Sequence, residues 1–375
     1  MRDERLTQLA KTLVHHSIEV KIGERVMVTG HQIAKRLIRE IIKEIYAAEG
    51  VPFVELRDDE IDVHLAEFAT KEQAEIQKEW YAKQLEDVQS FIHIRAEEND
   101  ATLSELASDA MKLYGEVFKE IDHKMVNERK WVLLDYPTPA AAQKAKMGTL
   151  TYQDYLFEVC SLDYKRMAEK QQPLFDLMEK TDRVRIVAPG TDLSFSILNI
   201  PTIASHGKKN IPDGEVFTSP VRESVNGVIS FNTPCSYRGI TFHNVKLTLE
   251  KGKIVHAEAD QTDKLNEILN LDEGARYIGE FAIGLNPLIN HPVGNTLFDE
   301  KINGSIHFTP GQAYDDADNG NRSMIHWDMV LILREEYGGG ELYFDDQLIQ
   351  KNGVFVTDEL IDLNPENFNQ KEAVR

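Results

Sequence analysis

Cysteine is scarce in this chain. Cys160 and Cys235 are its only two, and they form no C-x-x-C pair. That excludes a disulfide framework and a zinc knuckle, and it suits the reducing cytoplasm. No run of about 18 apolar residues exists, so no transmembrane helix is expected. The start, MRDERLTQLAKTLVHH, is charged and amphipathic rather than a signal peptide. Positive charge is in deficit: 42 Lys and Arg face 63 Asp and Glu, a formal net charge of −21. Such a balance argues against nucleic acid or an anionic membrane as partner and leaves room for a cationic group such as a free amine. Three motifs are also missing. The first expected strand ends in VTGHQIAKR, with one glycine where a dinucleotide fingerprint needs G-x-G-x-x-G. Neither G-x-x-x-x-G-K-[ST] nor the serine-nucleophile motif G-x-S-x-G occurs.

What is present is an ordinary globular composition, 42% apolar and 28% charged, over 375 residues. A single core rarely grows to that size, so two domains are expected. Up to about residue 150, strands alternate with helices. GERVMVTGH, VPFVELRDD, VQSFIHIRAEE and WVLLDYP read as strands, and residues 4–20, 32–49, 60–86 and 103–127 as helices, with Gly50 as a helix stop. The pattern predicts a parallel α/β domain over 1–150. Residues 151–180 read as a helical connection broken near Gln172–Pro173. Over 181–375 the texture becomes β-rich, with short strands, Gly, Asn and Asp turns, a hairpin at Lys251–Gly252 and one helix from about Thr262 to Leu269. The fold class is therefore α/β, an N-terminal parallel α/β domain followed by a β-rich α+β metal-binding domain, ending in a polar tail, NPENFNQKEAVR.

Chemistry gathers in the second domain. Met324–Leu333 alternates, with Ile325, Trp327, Met329, Leu331 and Leu333 on one face of a strand and His326 and Asp328 together on the other. A buried carboxylate is costly unless paired or bound to metal, so this pair reads as half of a metal site. Glu215 after a Pro-Asp-Gly turn, Glu280 within RYIGEFAIGLNP, Asp299 and Glu300 in TLFDE, and His307 and Tyr314 in SIHFTPGQAY extend the set. Carboxylates and imidazoles without thiolates suit zinc, cobalt, manganese or magnesium. Plainer readings exist: Glu215 as an exposed turn residue, Glu280 as a surface helix position, His307 as a satisfied histidine, Tyr314 as packing. DDADNG lacks the spacing of a calcium loop.

The motifs NIPDGEVFTSP, IGEFAIG, NTLFDEKINGSIHFTPGQAY and IHWDM, in this order, resemble those of the thermophilic-type metallo-aminopeptidases, the family of aminopeptidases T and S. The resemblance implies a cytoplasmic, homodimeric exopeptidase that releases N-terminal residues from short peptides and carries two divalent ions. It implies Glu215, Glu280, His307, His326 and Asp328 as metal ligands, Glu280 bridging. Glu300 is implied as a ligand or proton-transfer group and Tyr314 as its catalytic companion. Rivals from other classes are a phosphoesterase-like two-metal hydrolase, a non-catalytic metal- or peptide-binding protein, and a purely structural cluster.

Overall fold

A computed structural model describes residues 3–99, 101–102, 108–237 and 239–368. The chain divides into two units, Met1–Leu162 with Gly207–Pro212, and Asp163–His206 with Asp213–Arg375.

The first unit is built on a parallel sheet. Strands Arg25–His31, Val51–Arg57, Ser90–Arg95 and Lys130–Asp135 pair in parallel, with Val51–Arg57 at one edge. A short segment from much later, Asn210–Ile211, adds a fifth strand beside Lys130–Asp135. Parallel neighbours require crossovers, which here are the helices Lys35–Ala47, Asp59–Glu67, Lys71–Asp87 and Ser108–Glu128. The start of the expected 103–127 helix, residues 103–107, lies outside the described residues. The first of these crossover helices stops differently from expectation. Glu49, not Gly50, takes the left-handed conformation (φ 57°). Glu49 N–H then reaches the Tyr46 carbonyl and Gly50 N–H the Ile45 carbonyl, closing a Schellman motif. Gly50 is small because a Cβ there would meet Val20 at 2.7 Å. No helix among the described residues is long and apolar enough to cross a membrane.

The 151–180 stretch is divided between the units. Helix Thr149–Cys160 belongs to the first and Tyr164–Met178 to the second. The break falls at Ser161–Asp163, where Asp163 caps the next helix by accepting from Arg166 N–H. Pro173 sits inside that helix without ending it.

Among the described residues, the second unit contains antiparallel sheets of eight, five and two strands. The eight-stranded sheet carries the predicted hairpin, with Lys251 and Gly252 both at positive φ between Lys246–Glu250 and Lys253–Glu258. The five-stranded sheet runs in the order Met329–Ile332, Ser305–Pro310, Ile278–Gly284, Glu215–Thr218, Ile203–Ser205. Phe195 of the large sheet meets Phe281 and Phe308 of the small one at 5.0 and 5.2 Å between ring centroids. One face of the small sheet is thereby committed to an aromatic core. Of the terminal NPENFNQKEAVR, Pro365–Phe368 is a helical turn; residues 369–375 lie outside the described residues.

Candidate metal centre

Register decides what the other face of the small sheet carries. Phe281 lies opposite Phe308, and Ala282 opposite His307. Side chains alternate along a strand, so His307 points away from the Phe281–Phe308 core, together with Glu280 and Thr309. Glu215, opposite Gly284, joins the same face. Every residue of Ile278–Gly284 is buried, so Glu280 is a central-strand carboxylate and not the surface helix position that its apolar neighbours also allowed. Glu215 likewise heads a buried strand rather than an exposed turn.

His326 and Asp328 arrive by a different route from that expected. The regular strand covers only Met329–Ile332, not Met324–Leu333. Before it, the chain pairs irregularly with the turn at Gly311 (φ 112°): Gln312 N–H donates to the Ile325 carbonyl and Trp327 N–H to that of Pro310. A Cβ at Gly311 would meet the Ile325 carbonyl oxygen at 2.1 Å, so the close approach requires glycine. The segment stays extended enough to keep the predicted sidedness. Trp327 is buried against Tyr237 and Phe242. His326 and Asp328 turn the other way, with Nε2 and Oδ1 3.2 Å apart.

These residues form two groups suited to hold ions, Glu215–Glu280–His307 and Glu280–His326–Asp328, with Glu280 in both. His307 Nε2 lies 2.9 Å from Glu280 Oε1 and 3.6 Å from Glu215 Oε2. His326 Nε2 lies 3.5 Å from Glu280 Oε2. Both rings are oriented from behind. His307 Nδ1 bonds the Glu300 carbonyl at 3.0 Å, and His326 Nδ1 that of Gln312 at 2.8 Å. A carbonyl only accepts, so each Nδ1 carries the proton and each Nε2 faces the carboxylates, as metal-ligating histidines require. Thr309 donates to Asp328 Oδ1 at 2.7 Å. Glu215 Oε2 and Glu280 Oε2 are buried without a hydrogen-bond partner. Buried carboxylate oxygens left unpaired are costly, and two of them beside two imidazoles fit divalent cations.

The electrostatics describe a site dense in like charge. Burial pushes the Glu215 carboxyl up to about 8, against the opposing pull of Lys301 and His307. Burial likewise raises Glu300 to about 7, opposed by Lys301. Burial alone would lower both histidines, but the surrounding carboxylates prevail and raise each to about 10. Burial works against ionised Asp328 too, yet His326 holds it well below the usual carboxylate range.

Glu300 and Asp299 separate in role. Asp299 accepts from the backbone N–H groups of Val293 and Gly294 at 2.7 and 2.9 Å, fixing the loop before it. Glu300 belongs to neither candidate group; it is ion-paired with Lys301. Tyr314 keeps 44% of its surface accessible while its ring packs on His326 at 4.7 Å and Phe217 at 5.7 Å. Three contributors escaped sequence reasoning: Lys301, Thr309 and the Gln312 carbonyl. None had a signal in the sequence: even Lys301, directly after Glu300 in FDEK, reads as an ordinary charge.

The sequence and the fold have counterparts. Aminopeptidase 2 of Geobacillus stearothermophilus is 26% identical over 394 residues, covering 88% of this chain and 92% of the relative. Aminopeptidase AmpS of Bacillus subtilis (strain 168) is 26% identical over 372 residues, covering 87% and 88%. Aminopeptidase T of Thermus thermophilus is 34% identical over 153 residues, 36% of this chain and 37% of the relative. The solved structure of wild-type AmpT from Thermus thermophilus superposes with a TM-score of 0.78 at 21% identity, covering 94% of this chain and 99% of that one, a likeness of fold. The family model described as thermophilic metalloprotease (M29) matches residues 2–355, and this chain therefore belongs to the thermophilic metalloprotease (M29) family.

Proposed function

We propose that this metalloprotease is an aminopeptidase, releasing N-terminal residues from short peptides with two divalent ions per chain. The observation that carries the reading is the pair of ligand groups sharing Glu280, each with a histidine presented through Nε2. The relatives' shared naming as aminopeptidases supports the substrate class. Glu215, Glu280 and His307 would hold one ion, and Glu280, His326 and Asp328 the other, with Glu280 bridging. When bound, such ions supply a water acidic enough to attack at neutral pH and polarise the scissile carbonyl. Zinc, cobalt, manganese and magnesium all suit this donor set.

The chain's own residues do the rest. Glu300, held by Lys301 and outside both ligand groups, is the carboxylate that accepts the attacking water's proton and returns it to the leaving amine. Tyr314, its ring on His326, is a phenol donor for the developing oxyanion. The carboxylate-rich surroundings favour a free α-ammonium over a blocked terminus.

We also assign the protein to the cytoplasm and to a homodimer. Cys160 and Cys235 are both free thiols, as a reducing compartment allows. The edge strand Val51–Arg57 exposes Val51, Phe53, Val54 and Leu56, an apolar edge that a second copy of this chain would cover.

The test is a panel of dipeptides and amino-acyl amides, free and N-acetylated, assayed after EDTA with each metal added back. Cleavage confined to free N-termini and to metal-restored protein is expected. Equal cleavage of acetylated substrates removes the aminopeptidase claim. Turnover of phosphate esters alone favours a phosphoesterase, and no hydrolysis under any metal favours a binding protein.

A further inference from the structure

Lys301 is fully buried, with no solvent-accessible surface. Lysine is almost never so placed unless its charge is answered. Here two carboxylates answer it: Glu300, in direct contact, and Glu215, with Oε1 3.5 Å from Nζ. The two ligand groups are thus unlike in one respect. Each has a histidine fixed through Nδ1 and each shares Glu280. The second carboxylate of one group, Asp328, receives a neutral hydroxyl from Thr309. The second carboxylate of the other, Glu215, faces a full positive charge. Among the described residues, no ion pair joins Lys301 to Asp328. Where water is excluded, an ammonium a few ångströms from a ligand oxygen competes with a cation for that oxygen and repels the cation itself.

We propose that Lys301 is a positioning residue that makes the two ion sites unequal: its ammonium weakens capture at Glu215–Glu280–His307 relative to Glu280–His326–Asp328, and it holds Glu300 as a free carboxylate outside both ligand shells. This rests on the two-ion reading above. It makes the Glu215 site the loosely held, exchangeable one, and Glu280–His326–Asp328 the resident one.

The test is calorimetric titration of the EDTA-treated full-length protein with zinc alone. The wild type is expected to take up two ions in steps separated by at least tenfold in affinity. Lys301→Met should tighten the weaker step at least tenfold and leave the stronger within about threefold, while Lys301→Arg keeps the wild-type separation. His326→Ala should remove the stronger step, assigning it. Removing Lys301 alone strands two buried carboxylates, so the double variant Glu300→Gln/Lys301→Met guards against misfolding and should show the same tightening. Two steps of equal affinity in the wild type, or a weak step unmoved in both Met variants, overturns the role given to Lys301. Uptake of fewer than two ions by the wild type overturns the two-ion reading itself, a distinct result.

Discussion

Glu280 is the residue on which most depends, because it belongs to both candidate ligand groups whereas Glu215 and Asp328 each belong to one. Glu280→Ala should leave less than one bound ion per chain by elemental analysis and reduce turnover by at least 10³-fold, by roughly the logic of a lost bridging ligand. Glu215→Ala should leave close to one. Equal metal content in the two variants contradicts the sharing. Thr309 acts one layer out, orienting Asp328. Thr309→Val should lower metal affinity or activity about 10–100-fold while the melting temperature changes little. The sequence exposed the candidate ligands because carboxylates and imidazoles stand out in apolar strands. It hid their supports. A lysine after Glu300 reads as an ordinary surface charge, and a threonine in a strand is merely a good strand former. Burial alone distinguishes them, and burial is a property of the assembled sheet.

At the scale of elements, the strand Ile278–Gly284 is hemmed in on both sides. A Cβ at Gly279 would meet the carbonyl oxygens of Gly311 and Gln312 at 2.4 Å. Gly279→Ala must therefore push apart the chain segments that carry Glu280 and His326. It should destabilise the protein by about 1–3 kcal/mol, as overpacking does, and weaken metal uptake along with it; a denaturant midpoint unchanged from wild type contradicts this. In the parallel sheet, His93 supplies a pH dependence. Burial, with the nearby Arg57 charge, depresses its imidazole to about 4. Its Nδ1 lies 2.8 Å from Thr29 Oγ1. The unfolded chain gains that proton near the ordinary value of about 6.5, so the stability His93 contributes is complete above that pH and is lost as pH falls toward 4. The urea midpoint should fall more steeply between pH 6.5 and 4 in the wild type than in His93→Gln; parallel slopes contradict it. Alternation made most strands legible. It overextended the His326 strand, because a two-residue period survives in extended chain that has lost its regular ladder partner. Glu280's strand was harder, since a continuous apolar run fits a buried strand or a buried helix equally.

For the molecule as a whole, the change from alternating helices and strands to short antiparallel strands was readable from period and turn chemistry. The return of Asn210–Ile211 to the first unit's sheet was not. Two residues carry no periodicity, and only the tertiary register gives them a partner. The exposed edge strand Val51–Arg57 yields a prediction at this scale. Phe53→Lys with Leu56→Lys, placing charge on an apolar edge, should convert a dimer to a monomer in sedimentation; a dimer that survives both changes contradicts pairing through that edge. Two ions, held by residues on one face of the five-stranded sheet and by His326 and Asp328 just before its edge strand, should make this chain hydrolyse peptides from the N-terminus. The decisive measurement is the rate of release of N-terminal residues from unblocked dipeptides during stepwise addition of cobalt to EDTA-treated protein. The expected rate is near zero without metal and levels off once two ions are bound per chain. A full rate in EDTA, or a rate that never rises as both ions bind, contradicts the account.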